Sequence, residues 1–146
     1  MLIASTLGKE RTPLKTAILI CRILLGLAFV IVGANVLFPF LPNPPQPPSD
    51  ATTFATILMT HKYMAFVAII ELVSGILLLV GRYVPLALTM LAPILVNILL
   101  FHFTLAGGHG AIPAIILLVL EVFLIVVYRR SFMGLFDAAP EPLAPR

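Results

Sequence analysis

The chain has 146 residues, of which 61% are hydrophobic and only 10% are charged. Soluble domains are typically about half apolar and a quarter charged, so this composition excludes a soluble domain and indicates an integral membrane protein. Four membrane spans of about 20 residues each would use most of the chain, which leaves no room for a soluble catalytic domain. Any chemistry is therefore expected in or on the bilayer.

The net charge is +3, and the positions of the basic residues are more informative than this total. Most basic residues flank the apolar runs on one side: Lys9, Arg11, Lys15, Arg82, Arg129, Arg130 and Arg146. The opposite side has only Lys62. The positive-inside rule then predicts a multi-pass membrane protein with both termini in the cytoplasm. Because topology accounts for the basic residues, nucleic acid is excluded as a partner.

Cys21 is the single cysteine of the chain. A disulfide, a C-x-x-C redox pair and a thiolate metal site are therefore excluded. The sequence also has no nucleotide-binding loop, no zinc-ligand spacing and no nucleophile triad. We expect no metal and no covalently bound cofactor.

The apolar runs predict an all-α fold, an integral membrane four-helix bundle with a proline-rich outer loop and a short interfacial helix between the first two spans. The predicted boundaries are 1–13 cytoplasmic lead, 14–38 first span, 39–62 outer loop and interfacial helix, 63–80 second span, 81–84 cytoplasmic turn, 85–105 third span, 106–110 outer turn, 111–128 fourth span and 129–146 cytoplasmic tail. The first run is too long for the apolar core of a signal peptide, so we expect it to remain as an anchor.

Three spans contain an ionisable residue among hydrocarbon side chains: Arg22, Glu71 and Glu121. A carboxylate at mid-bilayer costs roughly 2.5 to 3.5 kcal/mol on insertion scales, which the surrounding apolar residues can outweigh. Counting about 1.5 Å per residue from the span ends places all three at a similar depth, about 10 to 13 Å from the cytoplasmic side. The sequence therefore predicts one polar cluster inside the bundle.

Two interpretations of this cluster stay open. The first is a structural network in which Arg22 pairs with Glu71 and Glu121, with Asn97 as a hydrogen-bond partner. The second is a binding site, because one arginine cannot neutralise two carboxylates and one acid is then expected to be neutral. Buried charges in membranes are paired and often mark ligand or proton sites. Asn35 and His102 are expected within about a turn of the outer surface.

Three segments are distinctive: Arg22 with L-L-G-L-A-F-V-I-V-G-A-N, Glu71 with G-I-L-L-L-V-G-R, and A-P-I-L-V-N-I-L-L-F-H ending at His102. They resemble the DoxX family of small four-span membrane proteins, which implies a place in the bacterial inner (plasma) membrane. The resemblance covers about residues 17 to 130, and the family often has a lysine where Asn35 stands. It implies a four-helix membrane bundle associated with quinone-linked respiratory oxidoreductases, while distant relatives act as cargo receptors or assembly factors.

The leading prediction is an accessory subunit of a bacterial membrane oxidoreductase, with a site for a quinone or another lipophilic head group. The predicted ligand-binding residues are Arg22, Phe29, Asn35, Glu71, Asn97, Phe101, His102 and Glu121, of which His102, Glu71 and Glu121 are the candidates for proton exchange. The expected partners are the lipid bilayer and either other oxidoreductase subunits or further copies of the chain. The alternatives are a non-catalytic scaffold or assembly factor, and a small proton-coupled transporter that acts as an oligomer.

Overall fold

The computed structural model of the chain describes residues 2–136, and the side chains of residues 13–134. This part of the chain is helical and contains no strand. Its elements are α1 (Leu2–Leu37), α2 (Asp50–Thr60), α3 (Tyr63–Val80), α4 (Val84–Thr104), α5 (Ala111–Val127), α6 (Arg129–Phe132) and a 3-10 turn (Met133–Phe136). The helix α1 runs back through the predicted lead, and the predicted tail beyond residue 136 lies outside the described residues.

Three helices are long and apolar enough to cross a membrane: Pro13–Leu37 within α1, α3 and α4. The helix α5 is equally apolar but has 17 residues, which corresponds to about 25 Å at the helical rise of about 1.5 Å per residue. A hydrocarbon core of about 30 Å accommodates such a helix by modest thinning or by continuation into flanking residues. The all-α bundle with membrane-length helices is confirmed.

The four long helices form a closed ring. The helix α1 packs against α3 and α5, and α4 packs against the same two helices, so α3 and α5 lie diagonally opposite each other. The core is filled mainly by leucines, with Phe29 of α1 among them. Short turns at 81–83 and 105–110 join α3 to α4 and α4 to α5, so these neighbours are antiparallel.

Glycines bring α1 and α3 into the closest contact of the bundle. A Cβ on Gly75 would lie 2.7 Å from the Gly26 carbonyl oxygen and 2.9 Å from the Val30 nitrogen. One on Gly33 would lie 2.7 Å from the Ala68 carbonyl oxygen. Small residues that let two backbones touch are the usual basis of helix association in membranes. The pairing of Gly26 with Gly75 and of Gly33 with Ala68 also fixes the antiparallel register.

The two ends of the bundle differ. The loop end consists of residues 38–62 and 105–110, and the basic end consists of residues 81–83 and 128–134. At the loop end, α2 begins at a capping box, in which the Ser49 hydroxyl accepts from the Thr52 nitrogen and the Thr52 side chain accepts from the Ser49 nitrogen. This arrangement satisfies backbone donors that a helix start leaves free. The helix α2 contacts α3 and lies beside the bundle rather than within its ring.

The distribution of side chains is the reverse of that in a soluble protein, with large apolar residues outside and several polar residues buried inside. Large aliphatic side chains such as Ile112 and Val119 are 71% and 62% exposed, while Glu71, Ser74 and Glu121 are 2%, 0% and 1% exposed. A helical bundle with such a surface would be insoluble in water, because its outer surface consists almost entirely of hydrocarbon. The exposed faces are therefore the surface that contacts lipid.

Candidate functional site

The predicted site residues separate into four places. Phe29, Glu71 and Glu121 are buried in the bundle. Asn97 and Phe101 line a cleft beneath α2. Arg22 lies at the basic end against Gly81, and Asn35 and His102 make contacts at the loop end. The structure therefore does not bring the eight residues into one cluster.

Glu71 and Glu121 point toward the bundle axis from opposite helices. On α3 the buried residues Ala68, Gly75 and Leu78 surround Glu71, and on α5 the buried residues Ala114 and Leu124 flank Glu121. Because α3 and α5 are diagonal, two buried faces centred on these acids both look inward. By helical rise, Glu71 lies about 13 Å and Glu121 about 9 Å from the basic end of its helix. Their levels differ by about one helical turn.

Ser74 belongs to the same interior and was not predicted. It is fully buried one turn after Glu71 on α3. Within residues 2–136, one carboxyl oxygen of each glutamate and the Ser74 hydroxyl are buried without a hydrogen-bond partner. The i to i+3 spacing from Glu71 was the signal in the sequence, since such residues share a helix face.

Arg22 does not join these acids, which corrects the predicted ion-pair network. A Cβ on Gly81 would lie 2.6 Å from the Arg22 Nη1 atom and 2.7 Å from Cζ, so the guanidinium packs against the residue that caps the end of α3. A cation there interacts favourably with the carbonyl end of the helix. The depth count failed because it began at Leu14, whereas the α1–α3 register places Arg22 level with the end of α3. The residues of α1 that precede Arg22 extend beyond the end of α3.

At the loop end, Asn35 and His102 hold backbone segments. The Asn35 side-chain oxygen accepts from the backbone nitrogens of Phe40 and Leu41 at 3.1 and 2.8 Å, and so fixes the start of the proline-rich loop. His102 Nδ1 lies 2.8 Å from the His109 carbonyl oxygen. Because a carbonyl oxygen can only accept, Nδ1 carries the hydrogen and donates it. His102 thereby closes the turn between α4 and α5.

Asn97 faces outward, and this also differs from the prediction of an interior partner for Glu71. The buried face of α4 is formed by Ala87, Leu88, Leu91 and Leu95. Asn97 is two residues beyond Leu95, which rotates it about 200° around the helix. Its side chain is exposed on the bundle and lines a cavity of about 230 Å³.

This cavity is apolar apart from Asn97. Its lining residues come from three helices: Phe54, Ala55, Leu58 and Met59 of α2, Met64 of α3, and Asn97, Ile98 and Phe101 of α4. The rings of Phe54 and Phe101 stack with centroids 6.1 Å apart and planes 30° apart. The short helix α2 therefore forms one wall of a hydrocarbon-lined space that contains one carboxamide.

A second cavity, of about 530 Å³, adjoins the first and shares Ala55 and Phe101 with it. Its lining is more polar and includes Gln46, Ser49, Thr52 and His109. We call the two cavities together the α2 cleft. The cleft passes from a polar mouth at the loop end to an apolar interior beside α4, a gradient that suits a molecule with a polar head and an apolar body. The contribution of α2 to it was not predicted.

The fold and the polarity of its surfaces define a multi-pass helical membrane protein with a buried acidic pair. The model of the DoxX family matches residues 17–104, and the chain belongs to the DoxX family. Among curated proteins it is 32% identical over 120 residues to the uncharacterized protein YwoB of Bacillus subtilis (strain 168), an alignment that covers 79% of this chain and 74% of that protein. No solved structure matches the chain significantly.

Proposed function

We propose that the protein is an accessory subunit of a quinone-linked membrane oxidoreductase, and that the α2 cleft is where it receives the quinone head group. The observation that carries the proposal is the cleft itself, which joins an apolar space of about 230 Å³ to a polar mouth. The association of DoxX-like proteins with quinone-linked enzymes, implied by the resemblance in the sequence, points the same way.

The chemistry of the cleft fits a quinone. A quinone ring is planar and apolar on its faces, with carbonyl oxygens at its edge that accept hydrogen bonds. Phe54 and Phe101 offer aromatic surfaces, and the Asn97 amide offers a donor at the apolar end. An amide exposed within a membrane span is costly without a partner. A bound carbonyl would satisfy it.

A subunit is favoured over a self-contained enzyme because the sequence carries no electron carrier. The single cysteine excludes an iron–sulfur cluster held by the chain alone, and no pair of histidines lies at one level on facing spans. The electron-transfer step would then belong to a partner protein, and the DoxX chain would supply membrane anchoring and a place for the lipophilic substrate.

The test measures quinone retained with the protein after extraction in native lipid discs. Relative to wild type, Asn97→Leu should lower the retained quinone about fivefold, which corresponds to losing one hydrogen bond of about 1 kcal/mol. Val96→Ala is the matched control, because Val96 is the exposed neighbour on the same helix and does not line the cleft. It should retain quinone as the wild type does.

The partners that copurify with each variant complete the experiment. Retained quinone together with redox subunits supports the proposal, and a fall in quinol-dependent respiration with Asn97→Leu supports it further. Quinone at its bulk lipid proportion in every variant would refute it. In that case, copurification of partner proteins without quinone would favour the role of a scaffold or assembly factor. Proton-coupled flux in proteoliposomes would instead favour the role of a transporter.

A further inference from the structure

The interior of the bundle holds a second polar feature that the α2 cleft does not use. Glu71, Ser74 and Glu121 are each at least 98% buried, with exposed fractions of 2%, 0% and 1%. Each has a buried oxygen with no hydrogen-bond partner in the part of the chain that the structure describes. Three partnerless buried groups on facing helices are too costly to be incidental, since each forfeits its interaction with water.

No described cation forms an ion pair with either acid. The described titratable or charged groups on and between the helices around them are Lys15, Cys21 and Arg22 on α1, Asp50 on α2, His61 and Lys62 between α2 and α3, Tyr63 on α3, Arg82 and Tyr83 after α3, His102 on α4, His109 before α5, and Tyr128, Arg129 and Arg130 after α5. Along α3, the cations closest to Glu71 are Lys62, nine residues before it, and Arg22, whose guanidinium lies at Gly81. Gly81 is ten residues beyond Glu71, or about 15 Å along the helix.

An ionised carboxylate without a counter-charge is far more costly in hydrocarbon than a neutral carboxyl group. We propose that Glu71 and Glu121 form an internal proton-binding site, in which each acid holds one exchangeable proton as a neutral carboxyl. Each carboxylate takes up one proton from the aqueous phase and returns it there, and no electron or heavier atom is transferred. The bundle therefore stores protons at mid-membrane, separately from its basic end.

The position of this site relative to the cleft has a consequence that rests on the proposed function. Met64 lines the cleft and lies seven residues before Glu71 on the same face of α3, about 10 Å away along the helix. Glu71 would thus be the first proton-binding group below a bound quinone. The proton site itself requires no ligand in the cleft, so its test is independent of quinone.

Infrared spectroscopy of the protein in vesicles of ether-linked lipids tests the proposal, because such lipids lack the ester carbonyls that mask a protonated carboxyl. At neutral pH the wild type should show the C=O stretch of protonated carboxyls, and the band should shift when water is replaced by D2O. Glu71→Gln and Glu121→Gln should each remove half of the band, and the double variant should remove it all.

Asp50→Asn is the control, since Asp50 is exposed at the start of α2, and it should leave the band unchanged. Glu71→Asp, which keeps the acid, should restore the band if the glutamine variant fails to fold. A wild-type spectrum with no protonated band would overturn the proposal. So would a band that survives the double variant or one that does not shift in D2O, because the protons would then belong elsewhere or be unable to exchange.

Discussion

At the scale of single residues, the contact between Arg22 and Gly81 determines how α1 meets the end of α3. Gly81 has a φ of +76°, which favours glycine, and its missing Cβ leaves room for the guanidinium. The Gly81 nitrogen donates to the Leu77 carbonyl oxygen at 2.9 Å and completes the helix end. Gly81 therefore provides both the left-handed conformation at the end of α3 and the space that the Arg22 guanidinium occupies.

Gly81→Ala should destabilise the protein for two reasons, and the two can be separated. The left-handed backbone costs about 1 to 2 kcal/mol for a residue with a Cβ, and the overlap with Arg22 adds to this. Gly108→Ala is the control, because Gly108 has a φ of +84° but no atom within 4 Å of its Cβ position. Unfolding in mixed detergent micelles, followed by circular dichroism, should show a larger loss for Gly81→Ala. Equal losses would mean that the Arg22 guanidinium is not held at that position.

The residue pattern predicted the interior of α3 better than that of α4. In α3 the small residues Ala68 and Gly75 share a helix face with Glu71, and this face is buried. In α4 helical spacing puts Thr89, Asn97 and Thr104 on one face, yet all three are exposed. The two threonine hydroxyls donate to carbonyl oxygens of their own helix, at Pro85 and Leu100. A polar residue whose partner lies one turn away gives no information about the interior.

At the scale of elements, α1 and α3 form the rigid half of the bundle. Their backbones touch at Gly26, Gly33 and Gly75, whereas α4 meets its neighbours through leucine side chains. Sequence reasoning identified the spans, but not the register between helices. Register depends on which glycine meets which residue, and a single sequence does not contain that information.

Gly75→Ala should destabilise the bundle by about 1 to 3 kcal/mol, the usual cost of overpacking. The added methyl group would meet the backbone of Gly26 and Val30, which cannot move unless the helices separate. Gly134→Ala is the matched control, since nothing lies within 4 Å of its Cβ position and its φ is not positive. It should change stability by less than about 0.5 kcal/mol. A similar effect of both substitutions would contradict the close α1–α3 contact.

The capping box makes α2 a stable wall of the cleft, and this can be tested locally. Ser49→Ala removes the side-chain acceptor for the Thr52 nitrogen and should cost about 1 kcal/mol. Hydrogen exchange measured by mass spectrometry should then be about fivefold faster for the α2 amides, with α4 unchanged. Thr53→Ala, an exposed change at the same helix start, should leave exchange unaltered. Faster exchange throughout the bundle would instead indicate global destabilisation.

At the scale of the whole molecule, the arrangement of charge predicts orientation in the membrane. Arg82, Arg129 and Arg130 are exposed at the basic end, and the positive-inside rule places that end in the cytoplasm. The short helix α5 is decisive, because residues 81–83 and 128–134 share a side only if α5 also crosses the bilayer. The loop end, with α2 and the mouth of the cleft, would then face outward.

Cysteine labelling in intact cells tests this orientation. In a Cys21→Ala background, which removes the single cysteine, Thr53→Cys should react with a membrane-impermeant maleimide. Arg82→Cys and Ser131→Cys should react only after permeabilisation, because the bilayer separates them from the reagent. Val119→Cys on the exposed face of α5 should not react in either case, because a thiol in hydrocarbon does not form the reactive thiolate. If Ser131→Cys instead reacts alongside Thr53→Cys, α5 does not span the membrane, and the diagonal pairing of Glu71 with Glu121 across a closed four-helix ring loses its basis.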